Sequence, residues 1–178
     1  FMSFLVSRIY QTGEGALPSS RAGLFGDFVT LLLGREAKLA AKRGEPWAEG
    51  RSETLQGSLV EVARAMQAAN GTVLSRQETV VAVAEDEGLI ANAVAANLLV
   101  DNGSEIRFAH QLLQEYFALR ILLEKMEAGE SAARFFGDAW WEAGIWRETV
   151  VMLGEFLGEG AAGPNRVARW LAPASPEV

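Results

Sequence analysis

Residues 53–108 hold the pattern that most restricts the fold, because they predict three helices followed by two short strands. Apolar side chains at helical spacing predict a helix over residues 53–69. Ser75 and Glu78 have the spacing of a capping box, which predicts a short helix through about residue 85, and another is predicted over residues 89–97. The face of the first helix that should be buried carries Leu55, Leu59, Val62, Ala63 and Met66.

A β-hairpin is predicted directly after these helices. Residues 98–100 and 105–108 predict two short strands, and the turn between them has Asn102-Gly103 at its tip. Three helices followed by a β-hairpin is the order of a winged-helix domain. The sequence therefore predicts a mainly α fold with a winged-helix domain at residues 47–128, whose wing is a short β-hairpin.

Further helices are predicted on both sides. The predicted end of a helical subdomain, residues 1–46, contains a helix over residues 21–43 that Ser19 and Ser20 can cap. A long helix over residues 109–127 has apolar side chains on two faces, which predicts burial between layers. Residues 129–178 predict the start of a C-terminal helical region that could continue as a repeat. The buried stripe predicted for residues 21–43 comprises Leu24, Phe28, Leu31, Leu32, Ala37 and Leu39.

The first ten residues are apolar and helix-like, with no capping residue ahead of them and no clear initiator Met. We interpret this as a chain that begins inside a helix of a longer parent protein.

Composition excludes several classes of function. The 178 residues include one His and no Cys, which argues against a disulfide scaffold and a Cys-ligated zinc site and favours a cytoplasmic setting. No G-x-x-x-x-G-K-[ST] motif is present, so the chain lacks a P-loop, and no metal site or catalytic residue is predicted. The acidic run Glu85-Asp86-Glu87 is interpreted as a solvated surface. No segment predicts a transmembrane helix or a signal peptide, so no membrane partner is expected.

A DNA-binding winged helix is one alternative function, and the charge argues against it. The net charge is −7, and the predicted recognition helix, residues 88–97, contains neither Lys nor Arg. Because affinity for nucleic acid depends largely on cations that contact phosphates, no nucleic-acid partner is expected. A ligand-free helical scaffold for protein interactions is the other alternative, and it predicts that His110 is fully buried and far from any cleft.

His110 is the candidate binding residue. It falls in the first turn of the long helix, where backbone N–H groups lack intrahelical partners and where Phe108 and Ala109 cannot cap them. An uncapped helix start beside an imidazole is a plausible anion site. The residues alone leave an alternative open, in which His110 caps its own helix or fills a polar gap in the core.

Three segments resemble motifs of the NACHT-type signalling ATPases of the STAND class, and in their order and separation the resemblance extends over nearly the whole chain. The stretch from Phe108 to Arg120 resembles the family's F-x-H-x-x-x-Q-E-Y-F-A-A signature. The stretch from Leu17 to Phe25 is similar to L-P-x-x-R-x-x-L-Y at the last helix of the family's first helical domain. The stretch from Trp146 to Leu153 resembles W-R-E-x-x-x-L-L, where the family's C-terminal region begins.

The resemblance implies a regulatory role in signal transduction or defence. In this family the winged-helix His, matched here by His110, contacts the β-phosphate of bound ADP and holds the protein closed. Exchange of ADP for ATP opens the protein, which then forms homo-oligomers. The resemblance also implies that the nucleotide-binding domain, with the P-loop and Mg²⁺, lies upstream in the same chain. The parent would then be an ATPase, and this chain by itself would not be an enzyme.

Overall fold

The computed structural model describes residues 20–45, 47–136, 144–158 and 162–172. This part of the chain is mainly helical and contains a small three-stranded antiparallel sheet, which confirms the predicted fold class. The predicted helix at residues 1–10, most of the L-P-x-x-R motif before Ser20, the Trp140-Trp141 pair and the tail after residue 172 lie outside the described residues.

The helices and strands follow one another in an order close to the predicted one. Their bounds are α1 Arg21–Lys42, α2 Arg51–Ala68, β1 Leu74–Ser75, α3 Arg76–Ala82, α4 Glu87–Ala95, β2 Leu99–Asp101, β3 Glu105–Phe108, α5 Gln111–Glu127, α6 Ala132–Phe136, α7 Arg147–Phe156 and α8 Ala162–Leu171. None of the helices in these described stretches is long and apolar enough to cross a bilayer.

The chain divides into two compact units. One is Phe25–Phe117, and the other combines the described residues of Phe1–Leu24 and Ala118–Val178. The boundaries fall inside α1 and α5.

The unit Phe25–Phe117 contains the elements of a winged helix in the order α2, β1, α3, α4, β2, β3. Its sheet has the strand order β1-β3-β2, and both pairings are antiparallel. Leu74 of β1 pairs with Ile106 of β3, and both side chains are buried. β1 was not among the predicted elements, because two residues are too few to show an alternating pattern.

The hairpin turn lies one residue later than predicted. Asp101 pairs with Ile106, and the N–H of Asn102 donates to the carbonyl of Glu105 at 3.1 Å, which leaves Gly103 and Ser104 at the tip. Gly103 has a φ of 96°, in the left-handed region that glycine adopts without strain. Asn102 stabilises the turn differently, because its Oδ1 accepts from the N–H of Glu105 at 2.8 Å. The predicted Asn-Gly tip is therefore wrong by one position.

Two of the predicted helix caps are confirmed. The hydroxyl of Ser20 accepts from the N–H of Gly23 at 3.0 Å at the start of α1. Ser75 and Glu78 form the predicted capping box, in which the Glu78 carboxylate also accepts from the N–H of Ser75 at 2.8 Å. The Ser75 hydroxyl also donates to this carboxylate at 2.6 Å, and the bonds from the hydroxyl and then from the N–H of Ser75 lower the pKa of Glu78, since they favour the charged carboxylate.

The predicted faces agree with burial where the pattern is regular. All five predicted core residues of α2 are buried. In α1 the predicted stripe is partly wrong, because Leu39 is exposed while Phe25, Val29 and Leu33 are buried. In α5 the side chains from residue 113 to residue 119 are all buried, and they include the polar Gln114 and Glu115, which the two predicted apolar faces do not account for.

α7 and α8 pack closely in the second unit. Their contact is made through glycine, because a Cβ built on Gly163 would lie 1.9 Å from the carbonyl oxygen of Gly154. The indole N–H of Trp170 on α8 donates to the carbonyl of Glu130 at 2.7 Å. Arg21, at the start of α1, donates to the carboxylate of Glu155 on α7 at 2.8 Å.

Candidate functional site

His110 lies between the last strand of the wing and the long helix α5. The N–H of Ala109 donates to the carbonyl of Leu98 at 2.9 Å, so the chain remains attached to the residue just before β2 as far as this point. The carbonyl of His110 then accepts from the N–H of Leu113 at 2.9 Å, a hydrogen bond of the 3₁₀ type at the start of α5. The side chain is only partly buried.

The imidazole of His110 caps α5. Its Nδ1 accepts from the backbone N–H of Leu112 at 3.1 Å. The expectation of an uncapped helix start is therefore wrong, because the side chain that follows Ala109 supplies the acceptor that Phe108 and Ala109 lack. The capping alternative is correct as far as Nδ1 is concerned. The partial exposure of the side chain does not meet the condition of full burial that the scaffold alternative requires.

This hydrogen bond determines the tautomer of the ring. Nδ1 can accept only when it carries no proton, so in the neutral imidazole the proton resides on Nε2. Burial lowers the pKa of His110 below its ordinary value, which also favours the neutral ring. The capping geometry thus assigns an N–H donor to Nε2, and the lowered pKa favours the neutral ring in which Nδ1 can accept.

The stability of the fold should fall when the pH is lowered through the titration of His110. Because the folded pKa is lowered, the unfolded chain takes up a proton first, starting near its pKa of about 6.5. The stabilisation is therefore complete above about pH 6.5 and is lost as the pH falls toward the folded pKa. Denaturant unfolding at several pH values between about 7.5 and 5.5 measures this loss.

Asparagine is the matched control at this position, because it is a good N-cap residue and does not titrate. His110→Asn should keep the cap and remove the difference in stability between the two ends of this pH range. His110→Ala should lose the cap, at a cost of about 0.5–2 kcal/mol. If His110→Asn keeps the pH dependence of the wild type, the assignment of that dependence to His110 is wrong, since the chain has no other histidine.

Other residues of the F-x-H-x-x-x-Q-E-Y-F-A-A segment hold this end of α5 in place. Phe108 stacks on Phe117, with ring centroids 5.6 Å apart, and both side chains are buried. The amide of Gln114 donates to the carbonyl of Gly71 at 3.1 Å, which joins α5 to the loop after α2. Tyr116 packs edge-on against Phe117, with centroids 5.1 Å apart. The motif therefore fixes the helix from which the His110 side chain projects.

α4 corresponds to the recognition helix of DNA-binding winged helices. Its side chains make contacts within the fold. Leu89, Ile90 and Ala93 are buried. Arg51 on α2 contacts the start of this helix and donates to the carboxylate of Asp86 at 3.1 Å. With its amide oxygen oriented toward Arg51, Asn92 accepts from Nε of that guanidinium at 2.9 Å.

Arg76 occupies the same face and is neutralised by two acids. Its guanidinium donates to Glu87 on α4 at 2.8 Å and also contacts Asp101 on β2. These partners raise the pKa of Arg76, first through the hydrogen bond from Glu87. A cation with two carboxylate partners has little charge left for a phosphate, so Arg76 does not supply the free cationic contact with which DNA-binding winged helices hold their duplex.

The acidic run before α4 is exposed, as predicted. Asp86 and Glu87 are engaged by Arg51 and Arg76. In the part of the chain that the structure describes, no three metal-ligating side chains converge. The sequence did not indicate these two arginine contacts, because Arg51 and Asp86 are separated by 35 positions and no short motif marks such a pair.

The described residues place His110 and the motif residues from Phe108 to Phe117 in one short region of the unit Phe25–Phe117. The resemblance to NACHT-type ATPases depends on such motif residues alone. Comparisons with known proteins found no family model, no curated protein and no solved structure that matches this chain.

Proposed function

We propose that the chain is the regulatory segment of a NACHT-like STAND ATPase, which senses whether ADP or ATP is bound and keeps the closed state inactive when ADP is present. The observation that carries the proposal is the geometry of His110. Its Nδ1 is used by the cap of α5, so its N–H donor is on Nε2, in a partly exposed side chain at a helix N-terminus. A hydrogen-bond donor beside a helix N-terminus suits a phosphate oxygen.

In this proposal His110 contributes one contact to a site whose other residues lie outside this chain. The chain has no P-loop, so the phosphates and Mg²⁺ would be held by an upstream nucleotide-binding domain. ADP would supply the β-phosphate oxygen that accepts from Nε2 of His110. Differential contact with ADP and ATP would shift the equilibrium between the closed and open states, and the open state would form homo-oligomers.

Each of three segments of the chain would correspond to a different domain of the parent protein. Residues 1–46 would be the end of the family's helical domain, residues 47–128 the winged helix that carries His110, and residues 129–178 the start of the sensor region. By itself the chain would not hydrolyse ATP.

The test is a substitution at His110 in the full-length parent protein. His110→Ala and His110→Leu remove the Nε2 donor, so both variants should retain less ADP after purification and should oligomerise or signal without a trigger. Loss of one charge-assisted hydrogen bond of about 1.5–3 kcal/mol predicts roughly 10- to 100-fold faster ADP loss, provided that the contact is broken before release. Chromatography of nucleotide from the denatured protein and light scattering give the two readouts.

His110→Asn separates the two roles of the side chain. Asparagine can cap α5 but does not place a donor where the imidazole Nε2 lies, so this variant should keep the stability of the wild type and still lose ADP. If all three variants retain wild-type ADP and the resting oligomeric state, His110 does not hold the nucleotide and the proposal is wrong. Wild-type behaviour of His110→Asn alone would assign His110 to capping only.

A further inference from the structure

A groove of about 700 Å³ lies between α3 and the start of α4, on the face where a DNA-binding winged helix presents its recognition helix. We call it the α3–α4 groove. It is lined by Arg76, Gln77, Val80, Val81, Glu85 and Glu87.

The groove has an unusually exposed apolar side chain. Val81 is 67% exposed, which is the highest value among the large apolar residues that the structure describes. Val80, its neighbour in the groove, is only partly buried. A valine in this position does not stabilise the core, and it offers apolar surface that a partner could remove from water.

The charges around the groove are mainly negative. Arg76 already contacts Glu87 and Asp101, so its charge is compensated within the fold. Glu85 is exposed, and among the described residues no ion pair involves it. Residues 74–108 contain two basic side chains, Arg76 and Arg107, and six acidic ones. A partner that carries positive charge therefore complements this surface.

The backbone holds Glu85 in a defined place on the rim. Ala84 and Glu85 both have positive φ, of 53° and 66°, which is uncommon for residues other than glycine. The N–H of Glu85 donates to the carbonyl of Val80 at 2.9 Å, and the N–H of Ala84 donates to that of Val81 at 3.1 Å. These bonds close the end of α3 and fix the backbone of Glu85, whose side chain lines the groove with Val80 and Val81.

We propose that the α3–α4 groove binds a partner protein through a segment in which an apolar side chain is flanked by Lys or Arg. The apolar side chain packs on Val80 and Val81, and the cation pairs with Glu85. The proposal does not depend on the role of His110. A nucleic acid is disfavoured as the occupant, because the phosphates and the groove carry charge of the same sign.

The first experiment uses a fluorescein-labelled helical peptide of leucine and lysine, about three turns long, as the probe for the 178-residue chain. Fluorescence anisotropy should show saturable binding that weakens with salt, whereas the same peptide with Glu in place of Lys should not bind. Val81→Asp and Glu85→Lys should each weaken binding by about tenfold or more. Val81→Asp removes the apolar contact, and Glu85→Lys reverses the charge that pairs with the cation.

Glu127→Lys is the matched control, since it makes the same change of charge at an exposed residue of α5 outside the groove. It should leave binding within about twofold of the wild type. Circular dichroism checks the fold of each variant, and Val81→Ser replaces Val81→Asp if the aspartate unfolds the chain.

Three results would overturn the proposal. The first is that the Leu/Lys peptide does not bind, or binds Val81→Asp, Glu85→Lys and the wild type equally well. The second is salt-sensitive binding of duplex DNA that the groove variants abolish. The third is self-association of the chain in light scattering that Val81→Asp abolishes, which would make a second copy the occupant.

Discussion

Phe117→Ala is expected to destabilise the unit Phe25–Phe117 by about 3–5 kcal/mol. Phe117 is completely buried, stacks on Phe108 and packs edge-on against Tyr116. Removing the ring deletes both aromatic contacts and leaves a cavity between α5 and the wing. Denaturant unfolding followed by circular dichroism measures the loss, which should appear as a lower midpoint with an unchanged slope.

The control for this prediction is an apolar side chain that the same unit leaves in water. Val81 is 67% exposed, so Val81→Ala should change the free energy of unfolding by no more than about 0.5 kcal/mol. A loss below about 1 kcal/mol for Phe117→Ala would contradict the packing described for Phe108 and Phe117. The result bears on the candidate site too, because these rings fix the helix start that carries His110.

The helices could be predicted because they depend on the spacing of apolar residues that are close together in the sequence. α2 repeats its apolar side chains every three or four residues, and its predicted face is the one that is buried. The capping box of Ser75 and Glu78 is equally local. β1 could not be predicted in this way, because its two residues take their strand conformation from pairing with β3, about 30 positions later in the chain.

The position of His110 in the fold could be predicted from the sequence, but the capping role of its imidazole could not. The sequence indicates that His110 lies where a strand meets a helix, since both elements have clear patterns. Whether its ring caps that helix depends on a side-chain torsion, which spacing does not reveal. The contacts of Arg76 depend on the fold in the same way, because Asp101 lies 25 positions away and approaches only when the sheet forms.

The ion pairs of Arg51 and Arg76 explain both how this part of the winged helix is stabilised and why its outer surface is acidic. Arg51 and Arg76 contact the start of α4 and its neighbouring strand, so the cations of this face stabilise the fold. Because they are compensated there, the outer surface keeps an excess of carboxylates. A surface built in this way suits contact with a cationic protein segment better than it suits a DNA groove.

Gly163→Ala is expected to destabilise the α7–α8 hairpin by about 1–3 kcal/mol or more. A Cβ at this position would lie 1.9 Å from the carbonyl oxygen of Gly154 and 2.8 Å from the backbone nitrogen of Gly158. Both neighbours are backbone atoms, so the backbone of α7 and of the turn that follows it would have to move away from Gly163. Trp170 on α8 donates to Glu130, and tryptophan fluorescence therefore reports on the loss of this packing during unfolding.

Gly57→Ala is the matched control, since it makes the same substitution where there is space. Gly57 lies in the middle of α2, is exposed and has nothing within 4 Å of a Cβ built on it. Because alanine is the better helix former, this variant should be more stable than the wild type by about 0.5–1 kcal/mol. Both substitutions add a methyl group to a helix. If they change the free energy of unfolding in opposite directions, the difference isolates the steric effect at Gly163. If Gly163→Ala is as stable as the wild type, α7 and α8 do not meet at this glycine.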